Sequence, residues 1–132
     1  MEEVKEFIKK CGTYFLATVD GDAPKVRPFG TIEIIDGKLC IQTGKSKNVS
    51  KQIQANANVQ LCAFDAASGK WVRVSGKLVR DDRRESKVQM LEAYPSLKTM
   101  YSPDDDNTEV LAFVDAEATF CSFTEAPRTV KL

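Results

Sequence analysis

The stretch TYFLATVDGDAPKVRPFGTIEIIDGKLCIQT, residues 13–43, indicates the fold of this chain. Its apolar runs are rich in aromatic and β-branched residues, and they are separated by Asp20-Gly21 and Asp36-Gly37. Asp-Gly pairs between such runs are the strongest short-range signal for a hairpin turn. We therefore predict an antiparallel meander with strands over 13–19, 25–35 and 38–43.

The rest of the chain alternates helical and strand-like segments. Val4, Phe7, Ile8 and Cys11 recur at helical spacing and predict an amphipathic helix over 2–10. Gly76 indicates a bulge, or the close approach of another backbone, inside a later strand. The other predicted elements are helices over 47–55 and 81–93, a short helical piece near 97–101, strands over 59–64, 71–80 and 110–123, and a basic tail over 128–131.

Six or seven strands with helices between them must bury their apolar residues on a closed or nearly closed sheet. We therefore predict a mainly β fold, a six- to seven-stranded antiparallel barrel with peripheral helices, as one domain over residues 1–132. Some strands are apolar at successive positions, as in YFLA at 14–17. Both faces of those strands should be covered, one by the barrel interior and the other by a helix or a second subunit.

The composition excludes several kinds of chemistry. The chain has no histidine, so Ser-His-Asp catalysis, Cys-His catalysis and imidazole ligation of haem are all excluded. Its four cysteines form no Cys-x-x-Cys pair, so the spacing of a zinc site is absent. Cys40, Cys62 and Cys121 lie inside apolar runs, and we expect packing cysteines in preference to a redox role. Any reaction must therefore use other side chains or a bound cofactor.

The charge pattern and the apolar runs bear on partners and compartment. The 19 basic residues equal the 19 acidic ones, which argues against a nucleic-acid partner. The start of the chain lacks the basic-then-apolar order of a signal peptide, and no run approaches the roughly 20 apolar residues of a membrane helix. We expect a cytoplasmic protein without a membrane partner. Three consecutive aspartates at 104–106 are expected in a solvated loop and not in a metal site, so no metal is predicted.

The first candidate binding segment is KVRPFG at 25–30. A proline cannot donate to the strand ladder, so this stretch should be a sheet edge or a bulge, where backbone groups are free to face a ligand beside Lys25 and Arg27. The alternative is an edge proline with two surface cations.

The second candidate segment is IQTGKSKN at 41–48, where a strand passes through a polar loop into a helix. Free N–H groups and the dipole at a helix N-terminus favour an anion, and nearby hydroxyl and ammonium groups would add donors. The spacing differs from that of a P-loop. The alternative is a solvated basic loop with Ser46 as the helix cap.

Together these segments resemble a known family. An Arg-Pro-aromatic strand, an Asp-Gly turn and a strand ending in TGKSKN before a helix are similar to the pyridoxamine 5′-phosphate oxidase-like FMN-binding split barrels. The turn NAN at 56–58 and the strand WVRVSGK at 71–77 also resemble that family. The resemblance covers roughly residues 5–125.

The resemblance implies a homodimer with two FMN sites at its interface. Arg27, Pro28 and Phe29 match the segment along the isoalloxazine and ribityl chain, and Gln42 and Thr43 match the strand end beside them. Trp71 and Arg73 match a strand that reaches the flavin from the second subunit. The segment that overlies the phosphate-binding turn comprises Lys45, Ser46, Lys47 and Asn48.

The implied activity is that of an FMN-dependent oxidoreductase acting on an unidentified small molecule, with NAD(P)H as reductant. The catalytic residues are not identified by the sequence. A cation such as Arg27 or Lys45 near the flavin N1 would stabilise the reduced ring. Tyr94, Met100 and Tyr101, in the segment 81–108, are expected either on the substrate side or in the core. The longer oxidases hold pyridoxal phosphate with a C-terminal Trp, Arg and His segment, which residues 124–132 do not match.

The alternative function is that of a non-catalytic module that binds or senses flavin or another phosphorylated ligand. Haem handling by a related split barrel is a third interpretation, and the lack of histidine weakens it.

Overall fold

The computed structural model describes residues 1–132 and contains eight β-strands, three α-helices and one 3-10 helix. None of the helices combines the length and the apolar character that a membrane crossing requires. The elements are α1 Glu2–Cys11, β1 Tyr14–Asp20, β2 Ala23–Phe29, β3 Glu33–Ile35, β4 Lys38–Gly44, α2 Asn48–Ala55, β5 Asn58–Asp65, β6 Lys70–Asp81, α3 Arg84–Ala93, the 3-10 helix Pro95–Thr99, β7 Thr108–Cys121 and β8 Arg128–Lys131.

The eight strands form one antiparallel sheet in the order β2-β1-β5-β6-β7-β4-β3, with β8 paired to β7. The prediction of a mainly β split barrel with peripheral helices is confirmed. The strand number is eight and not six or seven, because the predicted strand 25–35 divides into β2 and β3 and because the basic tail 128–131 pairs with β7 as a strand.

The predicted three-stranded meander is wrong. β2 pairs with β1 and β3 pairs with β4, so residues 13–44 form two hairpins at opposite edges of the sheet. The connector, residues 30–32, carries the chain from one edge to the other. Tyr14 Oη donates to Thr31 O at 2.6 Å, and Gln42 N donates to Thr31 Oγ1 at 3.0 Å. These bonds hold the connector away from the ladder positions that a continuous strand would need.

The barrel interior holds a core of 19 buried apolar residues. Val4 and Ile8 of α1 and Val49 and Ile53 of α2 are buried in it, so these helices close the barrel. A second, smaller cluster lies under α3 and includes Met90. Strand β4 is therefore buried on both faces. In β1, where the YFLA run predicted two covered faces, Phe15 is exposed within the chain. In α3 the buried residues are Ser86, Lys87, Met90 and Leu91, whereas Val88 is only half-buried. Lys87 Nζ lies 3.0 Å from Oδ1 of Asp82, the residue that follows β6.

Gly76 marks the bulge that its position predicted. The register between β6 and β7 shifts between Ser75 and Lys77, and a Cβ on Gly76 would stand 2.9 Å from the Cα of Ala116. Opposite the bulge, β7 bends at Asp115, which has a positive φ of 48°. The predicted last strand over 110–123 is thus one long bent strand.

The outer side of β1, β2 and β5 is not covered within the chain. Phe15 is 53% exposed, Val26 67% and Phe64 51%, and the strand register places all three on the same side of the sheet. Pro28 and Cys62 flank Phe15 on its two neighbouring strands. We call this surface, formed by Phe15, Val26, Pro28, Cys62 and Phe64, the outer apolar face.

Candidate functional site

A cavity of about 490 Å³ lies between the ends of β2 and β4, the start of α2 and the segment 94–101. Its lining contains no carboxylate and no thiol. Six of the residues predicted for the site contribute to it. They are Arg27, Pro28, Phe29, Gln42, Thr43 and Lys47.

Arg27 is held in place from two elements. Its Nη1 donates to Thr18 Oγ1 at 2.7 Å and to Leu16 O at 3.1 Å, and its Nη2 donates to Gln52 Oε1 of α2 at 2.7 Å. Burial lowers the pKa of the Arg27 guanidinium from its usual value, and no carboxylate pairs with it. The cavity therefore contains a fixed cation whose charge is not neutralised by the protein.

The end of β4 contributes two buried residues, Gln42 and Thr43, to the cavity lining. The side chain of Gln42 is held by its Nε2, which donates to Thr43 O at 3.0 Å. Thr43 is only 3% exposed, and its hydroxyl has no hydrogen-bond partner. A buried hydroxyl without a partner carries a desolvation cost, so it indicates a place that a ligand or water group occupies.

The polar turn after β4 differs from the predicted anion cradle. Lys45 N donates to Asn107 O at 2.7 Å, and Ser46 N donates to Asn107 Oδ1 at 3.0 Å, so two of its backbone donors already have partners. Ser46 does not cap α2 either, because the N-cap residue is Lys47, in extended conformation and without a side-chain cap. The helix N-terminus therefore lacks the side-chain acceptor that commonly satisfies it.

The two lysines of the turn have different surroundings. Lys45 Nζ lies 3.1 Å from Asp82 Oδ1 and 3.7 Å from Asp106 Oδ1, outside the cavity lining. Lys47 lines the cavity and has no carboxylate within 4.0 Å. Asn48 lies in a separate surface groove beside Lys51. Of the four residues predicted for the phosphate turn, only Lys47 faces the cavity.

The segment after α3, residues 94–101, forms one wall of the cavity. Tyr94, Met100 and Tyr101 line the cavity together with Ser96 and Leu97, and Tyr94 also packs against the smaller core cluster. Tyr94 Oη donates to Ile32 O and accepts from Ile32 N, both at 3.0 Å, so the wall is fastened to the connector. Thr31 and Val49 also line the cavity but were not predicted as site residues. Neither the hydroxyl of Thr31 nor the apolar side chain of Val49 indicates a binding site in the sequence.

Trp71 and Arg73 are not part of this cavity within one chain. Trp71 lines a different groove of about 440 Å³ with Phe7 and Phe120, and Arg73 lies opposite Cys62 on the outer side of the sheet. Their place beside a ligand bound by a second copy stays a prediction. No three or more Cys, Asp or Glu side chains are grouped to hold a metal ion.

Comparison with known proteins decides the family. A family model described as pyridoxamine 5′-phosphate oxidase matches residues 1–121. The chain belongs to the pyridoxamine 5′-phosphate oxidase family. A NimC/NimA family protein from Clostridium acetobutylicum is 44% identical over 100% of this chain and 92% of that one, with a TM-score of 0.95. Among curated proteins, no significant match is found.

More distant structures share the fold of this pyridoxamine 5′-phosphate oxidase family member. General stress protein 26 from Bacillus anthracis is 20% identical, with a TM-score of 0.79 over 99% of this chain and 97% of that one. A heme binding protein from Mycobacterium smegmatis is 13% identical, with a TM-score of 0.77 over 98% of this chain and 57% of that one. At these identities the likeness concerns the fold alone.

Proposed function

We propose that this protein binds FMN in the cavity between β2, β4, α2 and the segment 94–101, and that it works as an oxidoreductase on a small molecule. The observation that carries the proposal is the orphaned Thr43 hydroxyl, in a cavity lined by two cations, Arg27 and Lys47, that no carboxylate neutralises. The cavity volume lies within the range of about 300–1,000 Å³ that is usual for ligand sites.

The lining residues suit the three parts of FMN. Phe29, Leu97 and Met100 offer apolar surface for a flat ring, and Gln42 and Thr43 offer polar groups for a polyol chain. Lys47, at the uncapped start of α2, offers a cation for a phosphate, which the helix dipole also favours. The cavity lining offers no carboxylate and no thiol nucleophile, and bound FMN would supply the electron transfer.

We further propose a homodimer formed through the outer apolar face. Phe15 and Cys62 lie in one cross-strand row with Pro28, which lines the cavity, and with Arg73. A second copy seated on this face would bring Arg73 and Trp71 of the partner subunit towards the cavity mouth. This arrangement is the one that the family resemblance implies, and it explains why β1 has successive apolar residues.

Lys47→Ala should weaken FMN binding about tenfold or more, because it removes a charge-assisted contact to the phosphate. Lys45→Ala is the matched control and should change FMN affinity less than threefold, because Asp82 and Asp106 already hold that ammonium. Affinity is measured by the quenching of FMN fluorescence on titration with protein. Equal losses in the two variants would contradict the assignment of the phosphate to Lys47, and no FMN binding by the wild type would refute the proposed function.

Thr43→Val should leave the unliganded protein as stable as the wild type or make it slightly more stable, because it removes a buried hydroxyl that has no partner. The same change should weaken FMN binding by about 2- to 10-fold, as expected for the loss of one hydrogen bond. Thermal melting without ligand and FMN titration give the two quantities. A clear loss of stability with unchanged FMN affinity would show that the hydroxyl has a structural role instead.

Turnover separates the oxidoreductase from the module that only binds flavin. The FMN-loaded protein is mixed with NADH or NADPH without oxygen, and the flavin absorbance is followed. Bleaching faster than that of free FMN supports the oxidoreductase; an unchanged rate supports the binding module. A parallel titration with hemin tests the third interpretation, for which the chain has no histidine ligand to offer.

A further inference from the structure

The acidic loop, residues 102–108, is built around one carboxylate. Asp105 accepts hydrogen bonds from the backbone N–H groups of Ser102, Asn107 and Thr108 at 3.0, 2.9 and 2.8 Å. Burial opposes the ionisation of Asp105, but these hydrogen bonds outweigh it and hold the pKa of the carboxyl well below its usual range. Asp104 is bound through both oxygens to Arg84 of α3. The loop is thus ordered by its own contacts and fastened to α3.

The ordered loop presents Asn107 to the turn 44–47. The main-chain oxygen of Asn107 accepts from Lys45 N, and its Oδ1 accepts from Ser46 N. Its Nδ2 lies 3.0 Å from the point where a Cβ on Gly44 would stand, so the side chain packs closely against the turn. Asn107 therefore fixes the path of the backbone immediately before α2 begins.

Charges around the turn reinforce this contact. Asp82 binds Lys45 at 3.1 Å and the buried Lys87 at 3.0 Å, and hydrogen bonds from Lys87 and Lys45 lower the pKa of the Asp82 carboxyl below its usual value. Asp106 lies on the other side of Lys45. The charge of Lys45 is thus balanced locally, and Lys47 is the lysine of the turn that has no carboxylate partner.

We propose that Asn107 is a positioning residue for the phosphate end of the ligand. It holds Lys47 and the first turn of α2 in place, and its neutral side-chain amide satisfies the Ser46 N–H without adding a negative charge beside a phosphate monoester. This inference rests on the proposed function. It assigns to the segment 81–108, beyond its part in the cavity wall, a role in distinguishing a phosphorylated ligand from its unphosphorylated counterpart.

Asn107→Asp tests this role, because a carboxylate still accepts the Ser46 N–H but places a like charge next to a phosphate. We expect the Kd for FMN to rise about tenfold or more, and the Kd for riboflavin, which lacks the phosphate, to change less than threefold. The loss of FMN affinity should be smaller at high ionic strength, because salt screens the charge repulsion. Both constants are measured by flavin fluorescence, and the melting temperature of each variant confirms folding.

The matched control is Asn56→Asp, at the opposite end of α2. Asn56 Oδ1 also accepts a backbone N–H, from Asn58 at 3.1 Å. Asn56 lies about 12 Å from the N-terminus of α2 along the helix axis. The Asn56→Asp variant should leave the ratio of the Kd for FMN to the Kd for riboflavin unchanged. Asn107→Ala, which adds no charge, should raise the Kd for FMN by a smaller factor, about threefold, and it serves as the test if Asn107→Asp does not fold.

A selective loss of FMN affinity supports the proposal. Equal losses for FMN and riboflavin would show that Asn107 has only a structural role, and unchanged constants for both would also overturn the proposal. If the wild type binds neither flavin, the proposed function itself fails, and that result is distinct from the other two.

Discussion

Phe15→Glu should dissociate the proposed homodimer into monomers and remove most of the proposed FMN binding. Phe15 is 53% exposed at the centre of the outer apolar face, between Pro28 and Cys62 on the neighbouring strands. Burying a phenylalanine side chain contributes about 1.5–3 kcal/mol, and a two-fold interface buries it twice. An unpaired carboxylate in the same place adds a desolvation cost. The dimer dissociation constant should therefore rise by more than about 100-fold.

Sedimentation equilibrium measures the association, and flavin fluorescence measures the Kd for FMN of the same samples. We expect FMN affinity to fall about tenfold or more, because Arg73 and Trp71 of the partner subunit would no longer reach the cavity. Val79→Glu is the control, since Val79 is 49% exposed but lies in a charged groove beside Arg80 and Arg83. A monomeric Phe15→Glu variant with full FMN affinity would show that each chain forms a complete site.

Local signals in the sequence were sufficient to place most elements. The Asp36-Gly37 turn has positive φ at both residues, 50° and 73°, which is the conformation that favours Asp-Gly in tight hairpins. The bulge at Gly76 and the helix α2 also agree with their local patterns. These features depend on the backbone preferences of a few adjacent residues, and such preferences are visible in a sequence.

Strand pairing was not visible in the same way. The predicted meander is wrong because the register of 25–35 is decided by β1 on one side and β4 on the other, and not by continuity of the chain. The basic tail gives no strong strand signal, yet its residues pair with Glu117–Phe120 of β7. Edge positions of a sheet are set by contacts between distant segments, which local patterns do not contain.

The candidate site also has features that could be predicted from the sequence and features that could not. The placement of Arg27, Thr43 and Lys47 at one cavity could be predicted, because the family resemblance assigned all three to one site. The neutralisation of Lys45 could not, because its partners Asp82 and Asp106 are distant in the chain and belong to other elements. The sequence alone does not distinguish a lysine that forms an ion pair in the fold from one that does not.

Arg80→Ala should lower the free energy of unfolding by about 3–5 kcal/mol, the usual cost of leaving a buried charge without its partner. Glu109 is completely buried on β7, and Arg80 Nε is the donor of its ion pair. Its other contact is a hydrogen bond from Gln54 Nε2 of α2 at 3.4 Å. Glu109 Oε1 has no partner at all, so the carboxylate has few contacts to compensate for the loss of Arg80.

The effect should be asymmetric within the pair. Glu109→Gln leaves Arg80 with 33% of its side chain exposed, so water can solvate the guanidinium, and we expect a loss of only about 1 kcal/mol. The double variant Arg80→Ala with Glu109→Gln should recover most of the stability lost in Arg80→Ala, because no buried charge remains. Urea unfolding of the four proteins forms a double-mutant cycle. Additive losses in that cycle would show that the two side chains do not stabilise each other.

The position of Glu109 relates this ion pair to Thr43, which lines the cavity. It lies directly opposite Thr43 in the pairing of β4 with β7, so the two buried oxygens without partners belong to facing residues on the same side of the sheet. Both Glu109→Gln and Thr43→Val change polar groups that the unliganded fold leaves unsatisfied. Of the two residues, only Thr43 lines the cavity, so the cost of its unpaired hydroxyl is the one that a bound ligand or water group would remove. FMN should therefore raise the melting temperature of the wild type more than that of Thr43→Val.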